Sequence, residues 1–279
     1  MSVPEFDRIA DVYDETRRAL DVETLRGMKA FFAVHGCRSI LEVGVGTGRV
    51  SAPLAKAGTA IVGVDISRRM MEKARLKGIT NLVLAEATML PFKGRSFDGV
   101  VMAHVFHLLE NPLVVLREGA RVARVGVFAL IRKRDTDRVW FPFYGTEKVP
   151  VHATGGSEED ARSKFLEERR ERFRRIAEKF NWKWDPSRFR NWQREREILE
   201  STPPNEIREI SNVLVTETIE DRIARFQKGG YGSFAEMPAE MREEIIKEMR
   251  RTSATTAVQP RREVYQMAFW QSSRLLKRG

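Results

Sequence analysis

The sequence predicts an α/β fold: a doubly wound, mostly parallel sheet of seven strands carrying a helical cap insertion. Three observations lead there. From residue 39 to 132, short apolar runs alternate with amphipathic stretches, the mark of strand and helix units stacking into a parallel sheet. The stretch "ILEVGVGTGRV" at 40–50 passes from an apolar strand into glycine at every second place. Beyond residue 206, two further segments pattern as strands and complete the sheet.

Taken in order, "FDRIADVYDETRR" at 6–18 sets Ile9, Val12 and Tyr13 on one helical face. "DVETLRGMKAFFAVHG" does the same with Leu25, Met28, Phe31 and Phe32 and stops at Gly36, so it is a helix packed on the sheet. Strands follow at "SILEVG", "AIVGVD", "LVLAE", "FDGVVMA" and "VGVFALI". Between them, "RVSAPLAKAG" closes on Gly58, while "SRRMMEKARLKG" is capped by Ser67 and closes on Gly78; both are crossover helices. After a loop rich in Pro, Gly and aromatics comes a basic helix opened by a Ser157 to Asp160 capping box, with Leu166, Phe173, Ile176, Ala177 and Phe180 at helical spacing. "IREISNVLVTETI" is the sixth strand, Thr218 caps a short helix ending at Gly229 and Gly230, Pro238 opens another, and "REVYQMAFWQ" is the last strand. The organisation is therefore a core at 1–135, a basic helical insertion at 136–205, and carboxyl-terminal strands at 206–279 with cap helices at 218–251.

At 279 residues and 42% hydrophobic, the chain can bury a large core and reads as a soluble globular protein. Acids and arginines stand where a secretory signal needs an apolar stretch, and no later run reaches membrane-spanning length, so a cytoplasmic protein without membrane insertion is expected. Cys37 is the only cysteine, which excludes an internal disulfide and a cysteine-based zinc site; no metal is expected. The formal charge of +10 favours anionic partners such as RNA, phosphorylated metabolites or a membrane surface, without choosing among them. Residues 161–199 are the densest basic region, with 13 Lys and Arg against 7 Asp and Glu. Intermixed acids also fit a heat-adapted, ion-paired surface.

A strand feeding a glycine-rich turn and then a helix collects backbone amides and the positive helix end at one spot. Dinucleotide-binding loops read G-x-G-x-x-G. Here Gly44, Gly46 and Gly48 give G-x-G-x-G, with Glu42 two residues ahead. A carboxylate there would repel a pyrophosphate but can anchor an ammonium group. Asp65, at the end of the second strand and 17 residues after Gly48, stands where an acid can accept from both ribose hydroxyls.

These motifs resemble the class I S-adenosylmethionine-dependent methyltransferases, whose first motif is [ED]-x-G-x-G-x-G. The resemblance implies a Rossmann-like fold and S-adenosylmethionine as cofactor, with S-adenosylhomocysteine as product. It also implies that Ile66 follows the ribose-binding acid, that Glu86 and Ala87 in "LAEATMLPF" contact the adenine, and that Met102 and Ala103 line the cofactor cleft. "LPF" followed by "SFDGVVMAHVFHLL" is similar to the same family. "FDRIADVYDETRR" resembles the lead-in helix of the methyltransferase type 11, ubiquinone-biosynthesis-like branch, which implies that Tyr13 folds over the cofactor and Arg17 reaches its carboxylate. Two departures stand out: "VARVG" at 122–126 replaces the usual "PGG" turn, and the insertion is longer and more basic than the branch implies.

Methyl transfer needs a nucleophile in line behind the methyl carbon, and a general base only when the acceptor is protonated. His104 and His107, just after the fourth strand, are the two candidates, His107 the preferred one; His35 and His152 carry no pattern. The absence of an "NPPY"-type motif argues against amine methylation of a base. Trp140, Phe141, Phe143 and Tyr144 could roof a substrate or anchor their loop to the core. The leading reading is transfer to a small-molecule or lipid-like acceptor under a helical cap. The alternative is an RNA or protein methyltransferase using 161–199, although Glu167, Glu168, Glu171 and Glu178 interleave with Arg169, Arg170, Arg172, Arg174 and Arg175 and would pair with them. A noncatalytic cofactor-binding protein and a nicotinamide oxidoreductase are the readings from other classes.

Overall fold

The computed structural model describes residues 3–133, 138–141, 145–148, 158–183, 191–228, 237–253 and 260–277. In chain order the elements are α1 (Val3–Ile9), α2 (Tyr13–Thr16), α3 (Val22–Val34), β1 (Ser39–Val43), α4 (Ser51–Lys56), β2 (Ala60–Asp65), α5 (Arg68–Leu76), β3 (Leu82–Leu84) and β4 (Phe97–Ala103). A 3₁₀ turn (Phe106–Leu108) leads to α6 (Pro112–Val122), β5 (Ala123–Lys133), β6 (Arg138–Phe141), β7 (Gly145–Lys148), α7 (Glu158–Lys179) and α8 (Asn191–Ser201). Then come β8 (Glu206–Val215), α9 (Ile219–Gln227), α10 (Ala239–Ser253), β9 (Arg261–Gln271) and α11 (Ser272–Leu276).

The seven-stranded sheet has the order β3-β2-β1-β4-β5-β9-β8. Its first five strands are parallel, β9 is antiparallel to β5, and β8 is antiparallel to β9. The order reverses between β1 and β4, and such a switch point opens a crevice at the carboxyl ends of the strands. α3 covers one face, burying Met28, Phe31 and Phe32 against Ile40, Val101, Phe128, Leu130 and Phe269. α6 covers the other, burying Val115, Leu116 and Ala120 against Leu41, Val100, Met102, Val127 and Trp270.

The expected punctuation is present. Ser67 accepts from the Met70 amide, Thr218 and Asp221 form a reciprocal capping box, and α3, α4 and α5 end at Gly36, Gly58 and Gly78 in the left-handed region. Ser157, Gly229 and Gly230 lie outside the described residues, as do His152, Phe143 and Tyr144 and the side chains of Trp140, Phe141, Leu166, Arg169 and Arg170.

Two features go beyond what the sequence reading assigned. α6 occupies a stretch to which the sequence reading assigned no element; Asn111 caps it, Pro112 opens it, and Val115, Leu116, Ala120 and Val122 are buried along one face. β6 and β7 pair as a small separate hairpin where a loop was expected. α7 shares a core with α9 and α10, made by Phe173, Ala177, Ile223, Phe226, Met241 and Ile245 among others. α8 instead joins the main body: Ile198 enters the α6-side core, and Arg194 donates to the Leu109 carbonyl at 2.8 Å.

Candidate functional site

A cavity of about 470 Å³ lies at the carboxyl ends of β1, β2, β3 and β4. Its floor is the loop after β1. The amides of Gly44 and Val45 donate to the Val64 carbonyl at 2.8 and 2.9 Å, which ties the loop to β2. Asp65 completes the tie, accepting from the Gly46 amide at 2.7 Å and the Ser67 amide at 2.9 Å. Burial pushes the Asp65 carboxyl up, while the amides of Ser67, Gly46 and Ile66 pull it back toward the charged form.

The loop glycines serve different ends. A Cβ on Gly44 would come within 2.5 Å of Val105, so that position needs hydrogen for packing. Gly46, at φ +53, has nothing within 4 Å of where its Cβ would be and stands in the cavity wall. Gly48 is not in the wall; a Cβ there would press on Ala74 of α5 at 3.1 Å. Gly46→Val is therefore expected to cost the unliganded fold only about 1–2 kcal/mol of left-handed strain, while abolishing ligand binding by filling the floor. Thermal unfolding and an S-adenosylhomocysteine titration of the same variant read the two effects separately.

Glu42 lies under the loop, 2% exposed, and accepts from the Ser51 hydroxyl. Burial pushes its carboxyl up to about 8. The Ser51 hydroxyl and Arg49 oppose that rise, and the nearby charge of Asp65 adds to it.

The roof comes from the amino end. Phe6 and Tyr13 are wall residues, and Ile9 and Ala10 pack on Met70 of α5. Asp7, Asp11 and Asp14 recur at helical spacing and hold this segment down. Asp7 accepts from Ser67 Oγ at 2.5 Å, Asp11 pairs with Arg69 and Lys73 at 2.6 Å each, and Asp14 meets Thr47 Oγ1 at 2.6 Å and Lys77 at 2.5 Å. The sequence reading passed over these three acids; their spacing opposite the basic positions of α5 was the available signal.

Of the residues singled out from sequence, Tyr13, Glu42, Gly44, Gly46, Asp65, Ile66, Glu86, Ala87 and Ala103 line the cavity. Arg17, Gly48, Met102 and His107 do not; Met102 is buried in the core beneath α6 instead. The Arg17 guanidinium lies 4.9 Å over the Tyr13 ring and donates to Thr16. Arg49, the residue after the last loop glycine, is in the wall instead and donates to the Arg18 carbonyl at 2.5 Å. On the β4 side, the wall histidine is His104. Its φ of +57 is an uncommon conformation for a non-glycine residue and sits directly at the strand end. Leu108 and Leu109, rather than His107, complete the wall there. Among the described residues, no group of three or more His, Cys, Asp or Glu side chains could hold a metal ion, and no helix is long and apolar enough to cross a membrane.

The wall suits a nucleoside bearing a zwitterionic tail. Acids stand at the end of β2 and just after β3, bare backbone lies between, and Glu42 with Arg49 offers a buried acid that a cation would ionise beside a guanidinium. Comparison with known proteins agrees with that chemistry. A family described as "Methyltransferase domain" matches residues 41–131. The chain is 32% identical over 162 residues to a demethylmenaquinone methyltransferase of Thermotoga maritima, covering 50% of this chain and 70% of that protein. It is 33% identical over 128 residues to the demethylmenaquinone methyltransferase of Tropheryma whipplei, covering 43% of this chain and 54% of that one. The chain thus spans about half the length of the first curated relatives it matches. A solved structure described as a putative methyltransferase from an antibiotic biosynthesis pathway of Anabaena variabilis shares the fold, with a TM-score of 0.55 at 15% identity over 90% of this chain and 98% of that one.

Proposed function

The chain belongs to the class I S-adenosylmethionine-dependent methyltransferases, in their methyltransferase type 11 branch, and from that premise we propose that it methylates a small-molecule acceptor held on the His104 side of the cavity. One observation carries the reading: Glu42, the glycine loop, Asp65, Glu86 and His104 line a single cavity of about 470 Å³. S-adenosylmethionine, when bound, supplies an electrophilic methyl group on a sulfonium.

The residues divide the work by charge. Asp65 takes the ribose hydroxyls while keeping its hold on the Gly46 amide. Glu86 and the backbone around Ala87 take the adenine edge. Glu42 and Arg49 hold the amino and carboxylate ends of the tail, so Arg49 takes the role that the family resemblance implied for Arg17. Phe6 and Tyr13 exclude water from above. His104 stands within the wall at the strand end, where it can take a proton from an acceptor that must lose one. Alignment of the two reactants supplies most of the rate, as is usual for a displacement.

The demethylmenaquinone methyltransferases among the relatives support a small-molecule acceptor. The arginines of α7 support it too. Arg174 and Arg175 pair with Glu171, Arg172 with Glu248 of α10, and Lys179 with Glu244, which spends much of the basic field inside the α7, α9 and α10 bundle. That bundle reaches the amino-terminal roof through Lys228 and Glu15 at 2.6 Å, in keeping with a cap over the acceptor. The test is incubation with methyl-labelled S-adenosylmethionine and a cell extract divided into RNA, protein, lipid and small-metabolite fractions. Label is expected among small metabolites or lipids; label in RNA that vanishes after ribonuclease would overturn the reading.

A further inference from the structure

Beyond His104, the carboxyl edge of the sheet continues through the end of β5 and the start of β9. The two strands are antiparallel, so Tyr265 stands opposite Arg132, and Glu263, two residues away, shares their face. Glu263 is only 7% exposed, a depth that carboxylates occupy when paired. It lies 3.4 Å from Arg132 Nη1, 3.6 Å from Arg18 Nη1 and 3.4 Å from the Tyr265 hydroxyl.

This cluster abuts the cavity. The Tyr265 ring stands edge-on to His104, with centroids 6.0 Å apart, and the Arg18 backbone is held by Arg49 of the wall. Burial pushes the Tyr265 phenol up and Glu263 adds to it, while Arg132, Arg49 and Arg18 pull it down, so all three guanidiniums bear on the hydroxyl.

Two arginines around one carboxylate leave a net positive charge. Among the described residues, Glu263 is the only carboxylate within salt-bridge distance of Arg18 or Arg132. Their side chains remain 44% and 35% exposed, and a guanidinium carries five donors, of which Glu263 takes few. The arrangement fixes the arginines in place while keeping most of their donors available to a planar anion.

We propose that Arg18 and Arg132, set by Glu263 and Tyr265, recognise an anionic group on the methyl acceptor, which is therefore a carboxylate- or phosphate-bearing small molecule. The proposal rests on the methyltransferase reading and names its substrate class.

The test titrates the protein, saturated with S-adenosylhomocysteine, with 4-hydroxybenzoate, phenyl phosphate and the neutral 4-hydroxybenzamide. At least one anion is expected to bind about tenfold or more tightly than the amide, and comparison of the two anions separates carboxylate from phosphate recognition. Raising salt from about 50 to about 500 mM should weaken the anion several-fold and leave the amide unchanged. Arg18→Gln with Arg132→Gln should erase the preference while S-adenosylhomocysteine affinity stays within about twofold, and Arg132→Lys should retain part of it. Equal binding of anions and amide, no binding of any probe, a preference insensitive to salt, or one that survives the double substitution would overturn the proposal. Loss of S-adenosylhomocysteine binding in the unaltered protein would strike the methyltransferase reading instead.

Discussion

Asp65→Ala is expected to weaken S-adenosylhomocysteine binding by roughly two to three powers of ten. Two losses combine. The ribose loses a charged acceptor, worth about 1.5–3 kcal/mol. The Gly46 and Ser67 amides, now 2.7 and 2.9 Å from the carboxylate, lose their partner, so the loop must be re-ordered each time ligand binds. An unsatisfied buried amide costs about 1–3 kcal/mol, and about 1.4 kcal/mol is a factor of ten. Part of the damage should therefore appear without ligand, as a lower unfolding temperature. Calorimetric titration beside a thermal melt separates the two; affinity equal to that of the unaltered protein would show that Asp65 does not serve the ligand.

Glu42→Gln is expected to flatten the stability of the unliganded protein against pH while impairing cofactor binding. The folded protein holds the Glu42 carboxyl up to about 8, against 4.5 when unfolded, because burial disfavours the charge. A group whose folded value is raised favours the folded state below its unfolded value and loses that contribution as pH rises through the folded one. The window here runs from about pH 4.5 to about 8. At about 1.4 kcal/mol per unit, the loss across it is on the order of 4 kcal/mol. Glutamine carries no charge to bury, so the variant should be the more stable protein at pH 9 without ligand. A cationic amino group beside Glu42 restores the carboxylate, so binding by the unaltered protein should release a proton near pH 7. Calorimetry in buffers of different ionisation heat detects that release. A glutamine variant with the same pH profile as the unaltered protein would remove Glu42 from the account.

The sheet and the floor of the site were legible in the sequence because both are local. "SILEVG" had to be a central strand, since it alternates no polar face, and a loop with glycine at 44, 46 and 48 had to bring bare backbone to its end. Asp65 was found by its distance from that loop. What it does there was only half visible: the ribose role follows from position, but its bonds to Gly46 and Ser67 required the coordinates. α6 was local too, yet it was not assigned. Its signals, an Asn111 cap, Pro112 at the first position and apolar residues at helical spacing, were in the sequence and were passed over.

The side chains on the rim were decided by tertiary structure. Arg17 and Arg49 look equally able to meet a carboxylate in a string of letters, as do His104 and His107. The chain folds Arg17 onto Tyr13 and leaves Arg49 in the wall, and a left-handed residue at the end of β4 is His104 itself. Arg18, Arg132 and Glu263 are separated by more than a hundred residues in sequence; Arg132 and Glu263 meet because β9 returns antiparallel beside β5, and Arg18 joins them from the loop whose carbonyl Arg49 holds. Periodicity and loop chemistry are properties of neighbouring residues, so the sequence alone determined the fold class, the glycine floor of the cavity and the resemblance to the family. The proposed acceptor recognition depends on which distant side chains share one edge of the sheet, and that proximity exists only once the strands have paired.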